Sequence, residues 1–233
     1  MQLSQIRSGY VRALKTYLSV LESRNALLRQ DKLQGVSDFA NQLDAWDEQL
    51  ANAAVPIVRS RRWFLQELSE NSSREYAAIS ENPDEPFSLF YVGPLAQSDA
   101  PYEQMLAGLR RNREEDRRRM YTTFGPHRDD VSLQLFGRDL RAMGSQGQLR
   151  TAVLSMKLGE IRLIEKEMGE SPTLLLDDVF SELDAKRRNA LFKSAAPLQT
   201  FITCTDRQDA AGAKADCFLQ VTSTPEGTVL RRE

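Results

Sequence analysis

Hydrophobic residues recur along the first third of the chain at helical spacing. Leu14, Leu21 and Leu28 fall at seven-residue steps with Tyr17 and Leu18 between them, and the breaker at residues 34–38 (QGVSD) closes the stripe, so one long helix is expected there. A second stripe, Phe39, Leu43, Trp46, Leu50, Ile57, Phe64 and Leu68, advances by 4, 3, 4, 7, 7 and 4 residues and predicts a second helix. Two antiparallel helices sharing such a seam form a coiled-coil-like arm. The same stripes suit the core of an ordinary helical bundle equally well. Pro56 removes a backbone donor and crowds the preceding turn, which predicts a kink.

Beyond residues 81–86 (ENPDEP) the texture changes. FSLFYVG has strand character, and the charged stretch from Tyr102 to Arg119 reads as helix. Val131, Leu133 and Leu135 alternate with polar residues, a turn follows at FGRD, and the chain returns toward Leu140. A long helix is expected from Leu149 to Met168, with Leu149, Val153, Met156 and Ile164 on one side. A buried strand at 173–176, a helix at 185–195, the strand TFITCT and a weak terminal hairpin complete the chain. Apolar strands separated by a helix argue for a mostly parallel, covered sheet. The fold class expected is therefore α/β, with a helical arm domain at 1–120 holding a strand near 87–92, and a carboxyl-terminal lobe at 121–233.

A chain of 233 residues buries a sufficient core without disulfide staples. Its 31 basic and 33 acidic residues leave a net charge of -2, so any nucleic-acid contact has to come from a local patch. Cys204 and Cys217 show no metal-ligand spacing, which fits a reducing compartment and argues against zinc. No apolar run approaches the roughly 20 residues of a membrane span, and the amino terminus has no apolar signal core. No membrane association and a cytoplasmic location are expected.

Two stretches carry chemistry. In PTLLLDDVFSELD, Leu174, Leu175 and Leu176 end abruptly in Asp177 and Asp178, with Asp184 close behind. Function in an open parallel sheet gathers at the carboxyl ends of strands. There one carboxylate can reach a Mg2+ ion on nucleotide phosphates while its neighbour orients a water. Acids at the start of a following helix are also favoured by its dipole, but capping does not require the ordered tail. Upstream, Ser145, Gln146, Gly147 and Gln148 stand directly before the long helix. Small residues there leave main-chain N–H groups and a hydroxyl open at a helix start, an anion-binding arrangement; a plain helix cap would use the same residues.

GSQGQLR resembles the signature motif, and PTLLLDDVFSELD the Walker B strand plus D-loop, of ABC-type ATPase heads of the SMC kind. The longer run from GPHRDD through DAKRR, followed by TFITCTD, resembles the RecF family of bacterial recombination mediators. LSQIRSGYVRALKTYLSVLESRNALLR is similar to the start of that family's helical arm. The resemblance implies a partial ABC-type P-loop NTPase head plus the arm. It also implies ATP and Mg2+ as cofactors, an ATP-dependent homodimer, double-stranded gapped DNA as ligand, and RecO and RecR as partners in loading RecA at single-stranded gaps.

One departure stands out. The family opens with a P-loop, GxxxxGK[ST], and this sequence contains no Gly-Lys pair. The chain is accordingly expected to be the carboxyl-terminal portion of such a protein, without the Walker A half and without ATPase activity by itself. On the matching positions, Asp177 is implied as the Mg2+ ligand and Asp178 as the catalytic acid, a place usually held by Glu. Ser145 and Gly147, flanked by Gln146 and Gln148, are implied to contact the γ-phosphate of a nucleotide on a second subunit. Asp184 falls at the D-loop position, and Thr205 and Asp206 fall where many such heads carry a switch histidine.

Three readings stay open. His127, the sole histidine, sits in GPHRDD, where a satisfied structural role is the commoner outcome; Asp129 and Asp130 fit anchoring Arg128 or a turn equally. Arg110, Arg111, Arg113, Arg117, Arg118 and Arg119 form a candidate DNA-phosphate patch. The interposed Glu114, Glu115 and Asp116 suit an ion-paired solvated face just as well. Arg59, Arg61 and Arg62 make a smaller basic group on the arm. Alternative functions are a non-enzymatic interaction module, or a fragment of another SMC-like ATPase.

Overall fold

The computed structural model describes residues 2–80, 84–179, 183–206, 215–224 and 227–232. The chain divides into two compact units, Met1–Pro172 and Thr173–Glu233.

In the first unit a short α1 (Gln2–Ile6) leads into α2 (Ser8–Gln34) and α3 (Phe39–Ile79). Gly35, at φ 69, ends α2, with its N–H bonded to the Asp31 carbonyl at 2.9 Å. The 41-residue α3 is assigned as one helix through Pro56, roughly 60 Å long at the usual rise per residue. Leu50, Ala51, Ala54, Ile57 and Val58 of α3 are fully buried. Around them pack α2, β1 (Phe87–Val92), α4 (Pro101–Arg111) and α7 (Gln146–Met168). Most of α3 lies in a shared bundle core, whereas Leu27, Leu28 and Leu43 form a separate small cluster with Val36, Phe39 and Trp46 near the α2–α3 turn.

The charged segment forms two helices, α4 and α5 (Arg113–Arg119), which meet at Asn112. After a 3-10 turn at Pro126–Arg128 come β2 (Asp130–Leu135), β3 (Arg138–Asp139) and α6 (Leu140–Met143). β1 pairs antiparallel with β2, placing Phe87, Leu89 and Tyr91 opposite Leu135, Leu133 and Val131. The β2–β3 turn has Phe136 at φ 52 and Gly137 at φ 70, the paired positive angles of a tight hairpin turn. The boundary expected at residue 120 falls inside this unit, because β1 and β2 pair across it and α7 packs along α3.

The buried side of α7 overlaps the expected one in part, since Leu149 and Met156 pack half-buried against the core. Thr151, Ala152, Ser155, Leu158 and Gly159 face inward, while Val153 is 56% exposed. Small residues let the helices approach closely: a Cβ at Gly159 would stand 2.6 Å from Ser72 Oγ and 2.8 Å from Ser72 N. Arg162 to Glu75 at 3.0 Å and Lys166 to Glu67 at 2.6 Å bind the same pair of helices at their edges.

In the second unit β4 (Leu174–Asp177) pairs parallel with β5 (Thr200–Thr203), with α8 (Ala185–Ala195) between them in sequence. β6 (Leu219–Thr224) and β7 (Gly227–Arg232) form an antiparallel hairpin. The parallel pairing expected from the apolar strands is thus confined to β4–β5 among the described residues; the other two sheets are antiparallel. The 173–176 strand is covered on one face alone. Leu174 and Leu176 are buried, but Leu175 is 72% exposed and its register partner Phe201 56% exposed. Among the described residues no helix is long and apolar enough to cross a membrane.

Candidate functional site

The acidic strand tip is organised by a threonine. The β4–β5 register sets Thr203 opposite Asp177, and paired residues of neighbouring strands project to the same face. Thr203 Oγ1 donates to Asp177 Oδ1 at 2.5 Å and accepts from the Asp178 N–H at 3.1 Å. Asp178 has φ 47, in the left-handed region, which Asp tolerates better than most residues. Both carboxylates are exposed. Among the described residues no group of three or more His, Cys, Asp or Glu side chains forms a metal cage. One or two carboxylates with phosphate oxygens and waters is nevertheless the donor set Mg2+ takes with a nucleotide, and Asp177 fits that chemistry.

Asp184 is the N-cap of α8: its Oδ1 accepts from the Arg187 N–H at 2.9 Å, and its Oδ2 pairs with the Arg187 guanidinium. Phe180, Ser181 and Glu182 of the same stretch lie outside the described residues. Thr205 and Asp206 form an exposed bend just past β5.

At α7, Ser145 and Gln148 close a reciprocal cap. Ser145 Oγ accepts from the Gln148 N–H at 3.2 Å, and Gln148 Oε1 accepts from the Ser145 N–H at 3.0 Å. Each of these oxygens accepts one bond inside the turn, and the Ser145 hydroxyl proton and the Gln148 amide hydrogens are not used by the cap. The N–H groups of Gln146 and Gly147 open the first turn, where a helix offers no internal acceptor. A groove of about 490 Å³ beside this turn is lined by Phe136, Arg138, Leu140, Met143 and Gln148 among others. Ser145–Gln148 and Asp177–Asp178 belong to different units of the chain.

GPHRDD, open at the level of sequence, is a partly buried junction: Gly125 and Pro126 are buried, His127 and Asp129 half-buried, and Arg128 and Asp130 exposed. Gly125 has φ 136, and a Cβ there would lie 2.7 Å from Tyr17 Oη and 2.8 Å from Met105 Cε. His127 Nε2 is 3.0 Å from the Thr122 carbonyl oxygen. That oxygen can only accept, so Nε2 carries the proton and Nδ1 accepts from the Tyr17 hydroxyl at 2.6 Å. Burial pushes the His127 pKa down, with Arg128 adding to the effect against the Thr122 bond, Asp129 and Asp116. Asp129 Oδ2 accepts from Arg61 at 3.1 Å and from the Tyr91 hydroxyl, and burial raises its pKa. Its other oxygen lies over Gly93, where a Cβ would come within 2.0 Å. Arg61 and Arg62 are committed here: Arg61 also donates to Pro126 O, and Arg62 to the carbonyls of Ala96 at 3.0 Å and Ser98 at 2.6 Å.

The arginine patch is largely neutralised from within. Fully buried Arg24 donates to Asp47 at 2.7 Å and to Asp116 and Thr122 at 2.8 Å. Arg113 binds Asp44 and Asp47, and Arg117 binds Asp31 at 2.6 Å. Arg118 and Arg119 pair with Glu115, and Arg110 lies 3.9 Å from Asp44. Arg111 is exposed. A signal for this network was present in the sequence: Tyr10, Tyr17, Arg24 and Asp31 repeat every seven residues and all four are buried. This polar seam runs beside the leucine stripe.

No family model matches the chain. Individual relatives do. It is 43% identical over 209 residues to the DNA replication and repair protein RecF of Herpetosiphon aurantiacus, covering 89% of the chain and 54% of the relative. The RecF of Shouchella clausii is 38% identical over 242 residues, covering 100% of the chain and 63% of the relative. Over the part of those proteins that it spans, the chain is RecF-like. A solved structure of the recombination mediator protein RecF with ATP, from the RecFOR pathway, matches at a TM-score of 0.82 and 33% identity, covering 94% of this chain and 58% of that one. A second RecF structure, with an ATP analogue, matches at 0.81. Coverage of 94% has to include residues of both units, so the RecF likeness is not confined to the helices. The chain spans roughly half to two-thirds of the RecF relatives' length, from 54% to 63%.

Proposed function

We propose that this chain supplies the Walker B and signature surfaces of a RecF-type ATPase, in which ATP closes a homodimer on DNA in recombinational repair. The observation that carries the reading is the strand tip, where Asp177 and Asp178 are exposed side by side and tied to one hydroxyl on the neighbouring parallel strand. Mg2+, when bound with the nucleotide, neutralises phosphate charge as the transferred group leaves. Asp177 holds that ion. Asp178 accepts a hydrogen bond from the water that attacks the γ-phosphorus, and its side chain is one methylene shorter than the usual Glu, which suits slow turnover. The P-loop comes from chain beyond this sequence, which has no Gly-Lys pair.

Ser145, Gln146, Gly147 and Gln148 donate to the γ-phosphate of a nucleotide held by the partner subunit. The reciprocal cap supports this role because it leaves the Ser145 hydroxyl proton and the Gln148 amide hydrogens uncommitted within the turn. By family likeness Asp184 takes the D-loop position, which meets the second subunit, and Asp206 the switch position after β5. Exposed Arg111 is the member of the basic patch best placed to meet DNA phosphates. By family likeness the ligand is gapped double-stranded DNA, and RecO and RecR are the partners that hand the site to RecA.

The test joins the chain to the amino-terminal part of a RecF relative and measures mass by light scattering with and without ATP. Dimerisation with ATP is expected, and Ser145→Arg abolishes it while nucleotide binding to the monomer persists. Unchanged dimerisation in that variant refutes the trans role.

A further inference from the structure

Thr205 and Asp206, at the position where many such heads carry a switch histidine, lie past the end of β5. The side chain that touches both acids lies earlier, at the last residue of the strand. We infer that Thr203 is a positioning residue, fixing the Asp177 carboxylate through its hydroxyl proton and the Asp178 main chain through its oxygen. The inference rests on the roles proposed above for the two acids and adds the residue that holds them.

A hydroxyl has one proton and two lone pairs. Here the proton goes to Asp177 Oδ1, at the short distance of a charge-assisted bond. A lone pair receives the Asp178 N–H. Asp177 Oδ2 has no hydrogen bond among the described residues, and so remains for a cation. The second bond acts where the backbone leaves β4 in the left-handed region, the conformation that sets the direction of the Asp178 side chain. Both bonds stay within one parallel strand pair, so the device is local to this unit. Valine, of nearly the same shape and equally suited to a strand, would keep the packing and lose both bonds; serine would keep them.

Two measurements test it. In the chain alone, hydrogen exchange at the Asp178 amide is expected to speed up about tenfold or more in Thr203→Val and to stay near the parent rate in Thr203→Ser. In the protein joined to a RecF amino-terminal part, the Mg2+ concentration needed for half-maximal ATP binding is expected to rise about tenfold in Thr203→Val, with rescue by Thr203→Ser. Asp177→Asn is the control, and Thr203→Ala replaces valine should that variant not fold. If Asp177→Asn raises the Mg2+ requirement but neither Thr203→Val nor Thr203→Ala does, the positioning role is overturned and the proposed site stands. If Asp177→Asn has no effect, the site assignment falls and takes this inference with it.

Discussion

Tyr17 donates its hydroxyl proton to His127 Nδ1 at 2.6 Å, across 110 residues of sequence. Through that bond α2 and the 3-10 turn before β2 share one partly buried contact, with Gly125 keeping the space open beside it.

Tyr17→Phe is expected to destabilise the chain by about 1 kcal/mol, because it leaves the half-buried His127 Nδ1 without its donor. Urea unfolding at neutral pH measures it. The parent should also lose stability as pH falls. Burial holds the folded pKa of His127 below its ordinary 6.5, so the unfolded chain binds the proton more readily and stability drops below about that pH. Arg128 strengthens this trend; Asp129, Asp116 and the Thr122 carbonyl oppose it. His127→Gln should flatten the curve in that window, and an equally steep curve in the variant would exclude the histidine as its source.

Arg24→Met is expected to cost about 3–5 kcal/mol, since it leaves buried carboxylates without their shared cation. Asp47 keeps Arg113, at 2.7 Å, whereas Asp116 keeps the N–H and hydroxyl of Thr123. Asp116→Asn added to Arg24→Met should therefore recover part of the loss, as seen in thermal unfolding of the double variant.

Gly159→Val is expected to lower stability by about 1–3 kcal/mol through overpacking. The added Cβ meets main-chain atoms of Ser72 as well as its side chain, so a rotamer change cannot relieve it. Gly159→Ala should still destabilise despite the better helix propensity of alanine; a stabilised Ala variant would mean that α3 and α7 move apart easily.

Arg111→Ala and Arg117→Ala should separate binding from folding. The first should leave the unfolding midpoint unchanged and reduce the salt dependence of DNA binding by about one unit of slope. The second removes the partner of Asp31 and should lower stability first. Equal loss of DNA affinity in both would place phosphate contacts on the far end of α5 as well.

Much of the outline was legible from pattern. Alternation at Val131, Leu133 and Leu135 marked β2, and the run ending in Asp177 and Asp178 marked the strand tip. The inward side of α7 was legible only at Leu149 and Met156, because a close helix contact selects small residues such as Ala152, Ser155 and Gly159, which hydropathy does not register. The polar seam of α2 was overlooked for a related reason: charge in a sequence suggests surface, and Arg24 is buried only because Asp47 and Asp116 meet it from distant segments.

Local covalent order was enough to set which residues form the long helices, where Gly35 ends one of them, and which acids follow the β4 strand, since each depends on neighbours a few positions apart. Pairing across long separations needed the folded chain. Tyr17 with His127, Arg61 with Asp129 and Thr203 with Asp177 are hydrogen bonds whose distance and direction exist only once separate elements pack, and no periodicity in one segment encodes the partner contributed by another.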